Sequence, residues 1–264
     1  MRHLISVTAI FLSALLLISG CRRKEPVSPP SAGSREPTPP SASTTEPAQE
    51  KIDNAAIVRK AVASQLKKKP EDVNEVDYAK VTSLDQSRSL LSDLSPIKEL
   101  IGLQRLVLSD TKVSDLTPLK GLTGLQVLDL SVTDVSDLSP IKELKGLQWL
   151  NLNSTGVSDL SPIKERVGLQ GLYLGGTKVS DLTPLKELKG LQVLHLGNTK
   201  VSDLTPIKEL NKLRTLGLSY TAVSDLTPLK KLKDLNTLSL SGTKVSDEQL
   251  AELKKALPEL KILR

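Results

Sequence analysis

Leu125-Gln126-Val127-Leu128-Asp129-Leu130-Ser131-Val132-Thr133-Asp134-Val135-Ser136-Asp137-Leu138-Ser139-Pro140-Ile141-Lys142-Glu143-Leu144 changes periodicity part way along. Leu128 and Leu130 alternate as in a short strand with one buried face. Thr133 and Val135 turn the chain. Ser139-Pro140 then offers an N-cap followed by proline at the first helical position. A short helical or 3-10 turn carries Ile141 and Leu144 inward. The apolar residues at 125, 128, 130, 135, 138, 141 and 144 therefore share one interior.

Outward from this stretch the same grammar recurs. Its first leucine returns at 103, 125, 147, 169, 191, 213, 235 and 257, each 22 residues after the last. One such unit cannot bury enough apolar surface to stand alone. Stacked units cover each other's flanks and pair strand with strand, the logic of a solenoid.

The pattern LxxLxLxxTxVxDLxPL resembles the leucine-rich repeat, in particular the 22-residue internalin-like class of bacterial surface proteins. The resemblance spans residues 81–264. It implies an α/β leucine-rich repeat solenoid: a concave parallel β-sheet, short helical or 3-10 turns on the convex side, and an N-terminal helical cap. One departure is regular. Threonine stands where the family usually has asparagine at the turn, at 111, 133, 155, 177, 199, 221 and 243, with Ser89 in the first, degenerate copy. A hydroxyl can bond the backbone of the adjacent turn, with fewer donors than an amide.

Both ends carry capping signals. Asp53 can start a helix whose Ile57, Val58, Ala61, Val62 and Leu66 form one face, ending before Pro70. In the first unit Val81, Leu84 and Leu91 keep the register while Gln86 replaces a core leucine. At the other end Asp247 to Ala256 reads as a longer helix, and Leu257-Pro258-Glu259-Leu260-Lys261-Ile262 as a last strand. Residues 52–80 are thus the N-terminal cap and 81–264 the repeat domain with its C-terminal cap.

The first fifty residues differ in kind. Arg2 and His3 precede an apolar run from Leu4 to Ile18, shorter than the ~20 residues of a spanning helix and fitting a signal peptide over 1–20. Ile18-Ser19-Gly20-Cys21 resembles the bacterial lipoprotein box, which implies cleavage and acylation at Cys21, the single cysteine of the chain. Residues 21–51 then form a linker. Seven prolines and eight Ser/Thr lie between Pro26 and Glu50, too little apolar surface to offset ordering entropy, so an extended tether is expected. This places the protein at the bacterial cell envelope, membrane-anchored through lipid. Arg22 stands where aspartate would signal inner-membrane retention, which points toward the outer membrane of a Gram-negative cell.

Composition narrows the chemistry. The 264 residues include 51 leucines but five aromatics, Phe11, Tyr78, Trp149, Tyr173 and Tyr220. One cysteine excludes a disulfide framework and cysteine-based metal centres. Two histidines leave little for metal or acid–base work, no phosphate loop appears, and neither enzyme activity nor a cofactor is expected. Residues 81–264 carry 24 basic against 21 acidic side chains, too small an excess, in an exported chain, for nucleic acid.

The resemblance implies that the residues between the strand leucines face the concave side, at positions three, five, seven and eight of each unit. Trp149, Tyr173 and Tyr220 fall there, as does His195, the one histidine beyond the leader. With Asn151 and Asn198 they form the candidate ligand-binding set, since aromatics are enriched at binding hot spots. Gly171, Gly175 and Gly176 are expected to leave a shallow recess beside them. A protein partner is the first reading. A glycan or cell-wall ligand held by the aromatics and amides, or a structural role without specific ligand, are the alternatives. On the convex side, lysines at 98, 120, 142, 164, 186, 208 and 230 read as a solvated face. The Asp93–Asp247 row, spaced by 22, reads as bonding its own turns rather than calcium. Arg166 occupies a leucine slot, so Val167 is expected to turn inward and the arginine to snorkel out.

Overall fold

The computed structural model describes residues 52–264. The leader expected over 1–20, the linker expected over 21–51 and the lipidation expected at Cys21 lie outside the described residues. Within them, helix α1 (Asn54–Leu66) starts where Asp53 accepts a hydrogen bond from the Ala56 N–H, 2.9 Å away. Val58, Val62 and Ala63 are buried against the first unit. The Asn54 side chain accepts the backbone N–H groups of Ser92 and Asp93, tying cap to array. A short helix, α2 (Glu75–Ala79), follows and packs beside it. Its Asp77 is buried between Lys68 at 2.7 Å and Lys80 at 3.1 Å. Its hydrogen bond from Lys68, then those from the Asn74 backbone and Lys80, hold the carboxyl at about 2.

Nine three-residue strands follow, all parallel and in chain order. They are β1 (Ser83–Asp85), β2 (Arg105–Val107), β3 (Val127–Asp129), β4 (Trp149–Asn151), β5 (Gly171–Tyr173), β6 (Val193–His195), β7 (Thr215–Gly217), β8 (Thr237–Ser239) and β9 (Lys261–Leu263). The register advances by one repeat at each step: Asp129 faces Asn151, then Tyr173, then His195. In the quoted unit Leu125, Leu128, Leu130, Val135, Leu138, Ile141 and Leu144 are all buried, as the periodicity requires. A 3-10 turn over Ser139–Ile141 returns the chain along the convex side.

Local chemistry differs from the expectation in four places. Ser139 does not cap its turn. The Asp137 carboxylate accepts the Ser139 N–H at 2.8 Å instead, and Asp115, Asp159, Asp181, Asp203 and Asp225 repeat this two residues before each proline turn. Bonds from the neighbouring Ser or Thr hydroxyl and backbone hold these carboxyls below the usual range. The aspartate row thus bonds its own turns. The threonines do not reach an adjacent turn either. Each donates to the carbonyl three residues back, as Thr133 does to Leu130 at 2.6 Å and Thr155 to Leu152 at 2.7 Å.

The third difference lies at the ends of the strands. Position eight is not extended strand but a left-handed turn, with φ near +57° at Arg88, Asp110, Val132, Ser154, Asn198 and Tyr220 and wider values at Gly176 and Gly242. Glycine, asparagine and aspartate tolerate that region; a β-branched residue does not. Val132 sits there 52% exposed, so its side chain gains little burial in return. Val132→Asn, the residue used in the same slot at 198, is expected to stabilise the protein by about 1 kcal/mol, read from the urea midpoint at unchanged slope.

The last difference concerns the leucine column Leu100, Leu122, Leu144, Arg166, Leu188, Leu210 and Leu232. Val167 does not turn inward; it is 64% exposed, and Arg166 is 5% exposed inside the array. The backbone explains why. The Arg166 N–H donates to Ile163 O at 2.9 Å and Leu169 N–H to Arg166 O at 2.8 Å, the same bonds that Leu144 makes with Ile141 and Leu147. Rotating Val167 inward would break that register, so the guanidinium is carried in.

At the C-terminus, α3 (Asp247–Ala256) replaces the proline turn. Leu257 to Leu260 form a turn rather than strand, and only Lys261–Leu263 pair with β8. Lys261 therefore faces Thr237, an offset of 24 residues where every earlier step is 22.

Candidate functional site

Every core and convex slot of a unit is filled by nearly the same residue each time. The concave positions are not, and the structure gathers their polar and aromatic members on β3 to β6. Asp129 on β3 accepts the Ser131 N–H and hydroxyl through Oδ1, at 2.9 and 2.7 Å, and Asn151 Nδ2 through Oδ2 at 3.1 Å. Asn151 Oδ1 accepts the Asn153 N–H at 3.1 Å, and Asn153 Oδ1 accepts the Gly175 N–H at 2.7 Å. One carboxylate and two amides thus cross from β3 to the end of β5 as a continuous chain. Asp129 is not among the candidate residues, and Asn153 belongs to them only as one of the amides, with Asn151 and Asn198, of the glycan alternative. Their 22-residue register with Asn151 and Gly175 is the signal that links them.

Beside this chain runs the aromatic strip. Tyr173 on β5 and His195 on β6 stack with centroids 5.0 Å apart and planes 18° from parallel. Trp149 on β4 meets Tyr173 at 6.5 Å and 29°. Parallel pairing at one position puts the rings one strand spacing apart, which is the stacking distance. Burial pushes the Tyr173 phenol up to about 12 and lowers the His195 imidazole below its usual value, which favours its uncharged form.

The glycines do not leave a recess. A Cβ on Gly171 would fall 2.1 Å from Cε3 of Trp149, because the indole already lies there. The same holds one unit apart elsewhere: His195 covers Gly217, Tyr220 covers Gly242, and the Asn153 amide covers Gly175. Trp149, His195 and Tyr220 each lean over the following unit, where glycine makes room for them. Of the six candidate binding residues, Trp149, Asn151, Tyr173 and His195 form one patch on β4 to β6. Asn198 and Tyr220 lie on the left-handed turns that rim the sheet, with Tyr220 69% exposed.

The repeat fold that carries these residues is shared. A family model described as leucine-rich repeats, two copies, matches residues 167–209. No curated protein sequence is matched. Among solved structures, internalin C2 of Listeria monocytogenes is 31% identical, aligning over 81% of this chain and 100% of its own with a TM-score of 0.73. A second internalin of the same organism is 23% identical over 78% of this chain and 74% of its own, TM-score 0.60, a likeness of fold. A leucine-rich repeat protein of Leptospira interrogans is 25% identical over 68% of this chain and 54% of its own, TM-score 0.58. Folds of this kind commonly bind proteins, using the extended concave surface that stacked repeats create. With a relative of this identity aligned along its whole length, the chain belongs to the internalin-like leucine-rich repeat proteins.

Proposed function

We propose that the protein is a lipid-anchored module of the bacterial cell envelope that binds a protein partner through the concave face of its β-sheet. The observation that carries this reading is the contiguous patch on β3 to β6, where the Asp129–Asn151–Asn153 chain lies beside the stacked rings of Tyr173 and His195. A uniform scaffold carries one non-uniform surface there, with charge restricted to a carboxylate already engaged by its neighbours. Tyr173 and His195 turn a ring face to each other, and a face engaged in this way is not open to stack on the flat face of a sugar. The anchor reading is supported by Ser19-Gly20-Cys21 and the proline-rich stretch after it. The outer membrane remains the favoured location on the residue that follows the cysteine, Arg22.

The test is cross-linked capture of protein partners by the full chain and by its Tyr173→Ala/His195→Ala variant. Loss of about tenfold or more in the captured partner is expected, with the melting temperature held within a few degrees. Unchanged capture overturns the assignment. Equal retention of both forms on insoluble peptidoglycan, without a captured protein, would move the ligand to the glycan class.

A further inference from the structure

One side chain inside the array has no place in the binding reading. Arg166 interrupts the leucine column in the segment joining β4 to β5, and its Nε and Nη1 are buried without a hydrogen-bond partner among the described residues. Guanidinium does not lose its proton in a protein, so a charge sits where Leu144 and Leu188 flank it in the column. In a solenoid each unit is held by its own folding and by contact with two neighbours. A cation in place of a leucine weakens the packing of the segment that joins β4 to β5, where the unit spanning 147–168 meets the next, while the backbone bonds around it keep the repeat geometry. The concave side compensates at the same step. Trp149 on β4 reaches over Gly171 on β5 and packs toward Tyr173, the one place where an indole straddles two strands.

We infer that the β4–β5 step is a seam, the point at which the solenoid first opens into an N-terminal and a C-terminal block, with Trp149 as the clasp across it. Opening separates Asn153 from Gly175 and the indole from its glycine seat, so it dismantles the concave patch at its centre. On the concave-face reading, a partner lying over Asn151, Tyr173 and His195 spans the seam and binds only the closed form, so binding and closure are linked.

Hydrogen exchange of the full chain, without any partner, tests the seam independently of the binding reading. Amides whose bonds cross this step, such as Gly171 to Gln148 O and Leu152 to Tyr173 O, are compared with Trp149 to Gln126 O and Leu196 to Gly217 O at other steps. The seam amides are expected to exchange about tenfold faster or more, and Arg166→Leu to bring them level with the others. Trp149→Ala should widen the difference. Equal protection at every step in the natural protein, or a difference that survives Arg166→Leu, overturns the inference.

Discussion

Arg166→Leu is expected to raise the melting temperature by about 6 to 12 °C. The replacement removes a buried cation whose Nε and Nη1 have no partner among the described residues, and a charge left unpaired in an apolar interior is destabilising by several kcal/mol. It also restores the side chain found at 144, 188 and 210, worth about 1.5 to 3 kcal/mol when fully buried. Some of this is already recovered by packing of the arginine's methylenes, so a net gain of about 3 kcal/mol is the reasonable figure. For a domain of this size each kcal/mol moves the midpoint by about 2 to 4 °C. Two controls isolate the cause. Arg166→Lys keeps the charge and should give no gain, whereas Arg166→Met removes it without branching and should give most of the gain. A leucine variant that melts at or below the natural protein would mean that the guanidinium is satisfied in solution.

The second large effect is expected at Gly171. The added methyl of Gly171→Ala would fall 2.1 Å from Cε3 and 2.3 Å from Cζ3 of Trp149. Real Cβ contacts do not approach that closely, so the indole must leave its seat. Overpacking of this kind is destabilising by about 1 to 3 kcal/mol, and here a contact toward Tyr173 is disturbed as well. Trp149 is the single tryptophan of the chain, so its emission reports the change directly. A red shift together with a lower melting temperature is expected. Pairing the change with Trp149→Leu should return much of the lost stability, since the smaller side chain clears the new methyl. Unchanged emission in Gly171→Ala would show that the indole does not occupy that seat. The glycine matters here through the space above it, not through its backbone angle.

How far the sequence reveals this architecture follows from what each residue does. Leucines such as Leu125 and Leu128 recur at fixed spacing because one repeated core needs them, so strands, turns, caps and the buried set are legible in a single chain. Arg166 was read wrongly because the rule that charged groups avoid the interior acts on side chains, while the 3-10 hydrogen bonds of its backbone decide which residue faces in. The left-handed slot is filled by Arg88, Asp110, Val132, Ser154, Gly176, Asn198, Tyr220 and Gly242. Only its glycines, asparagine and aspartate hint at positive φ, so Asn198 and Tyr220 read as strand residues although they stand on turns. The pairing of Trp149 with Gly171 was present as a 22-residue interval between a very large residue and the smallest one. It shows only when one unit is laid on the next, as the parallel register does.

The 24-residue offset between β8 and β9 bounds the region in which repeats are interchangeable. All other steps advance by 22, so a duplicated or deleted unit anywhere between β2 and β8 rejoins its neighbours without adjusting a single turn. Copy number can drift there, and each added unit widens the concave sheet by about 4.8 Å. At β9 that freedom stops. The ten residues of α3 and the shifted pairing after them present a different outline, on which another 22-residue unit would sit two residues out of phase. The regular repeats can grow from within, whereas the β8 to β9 step marks where their 22-residue register changes.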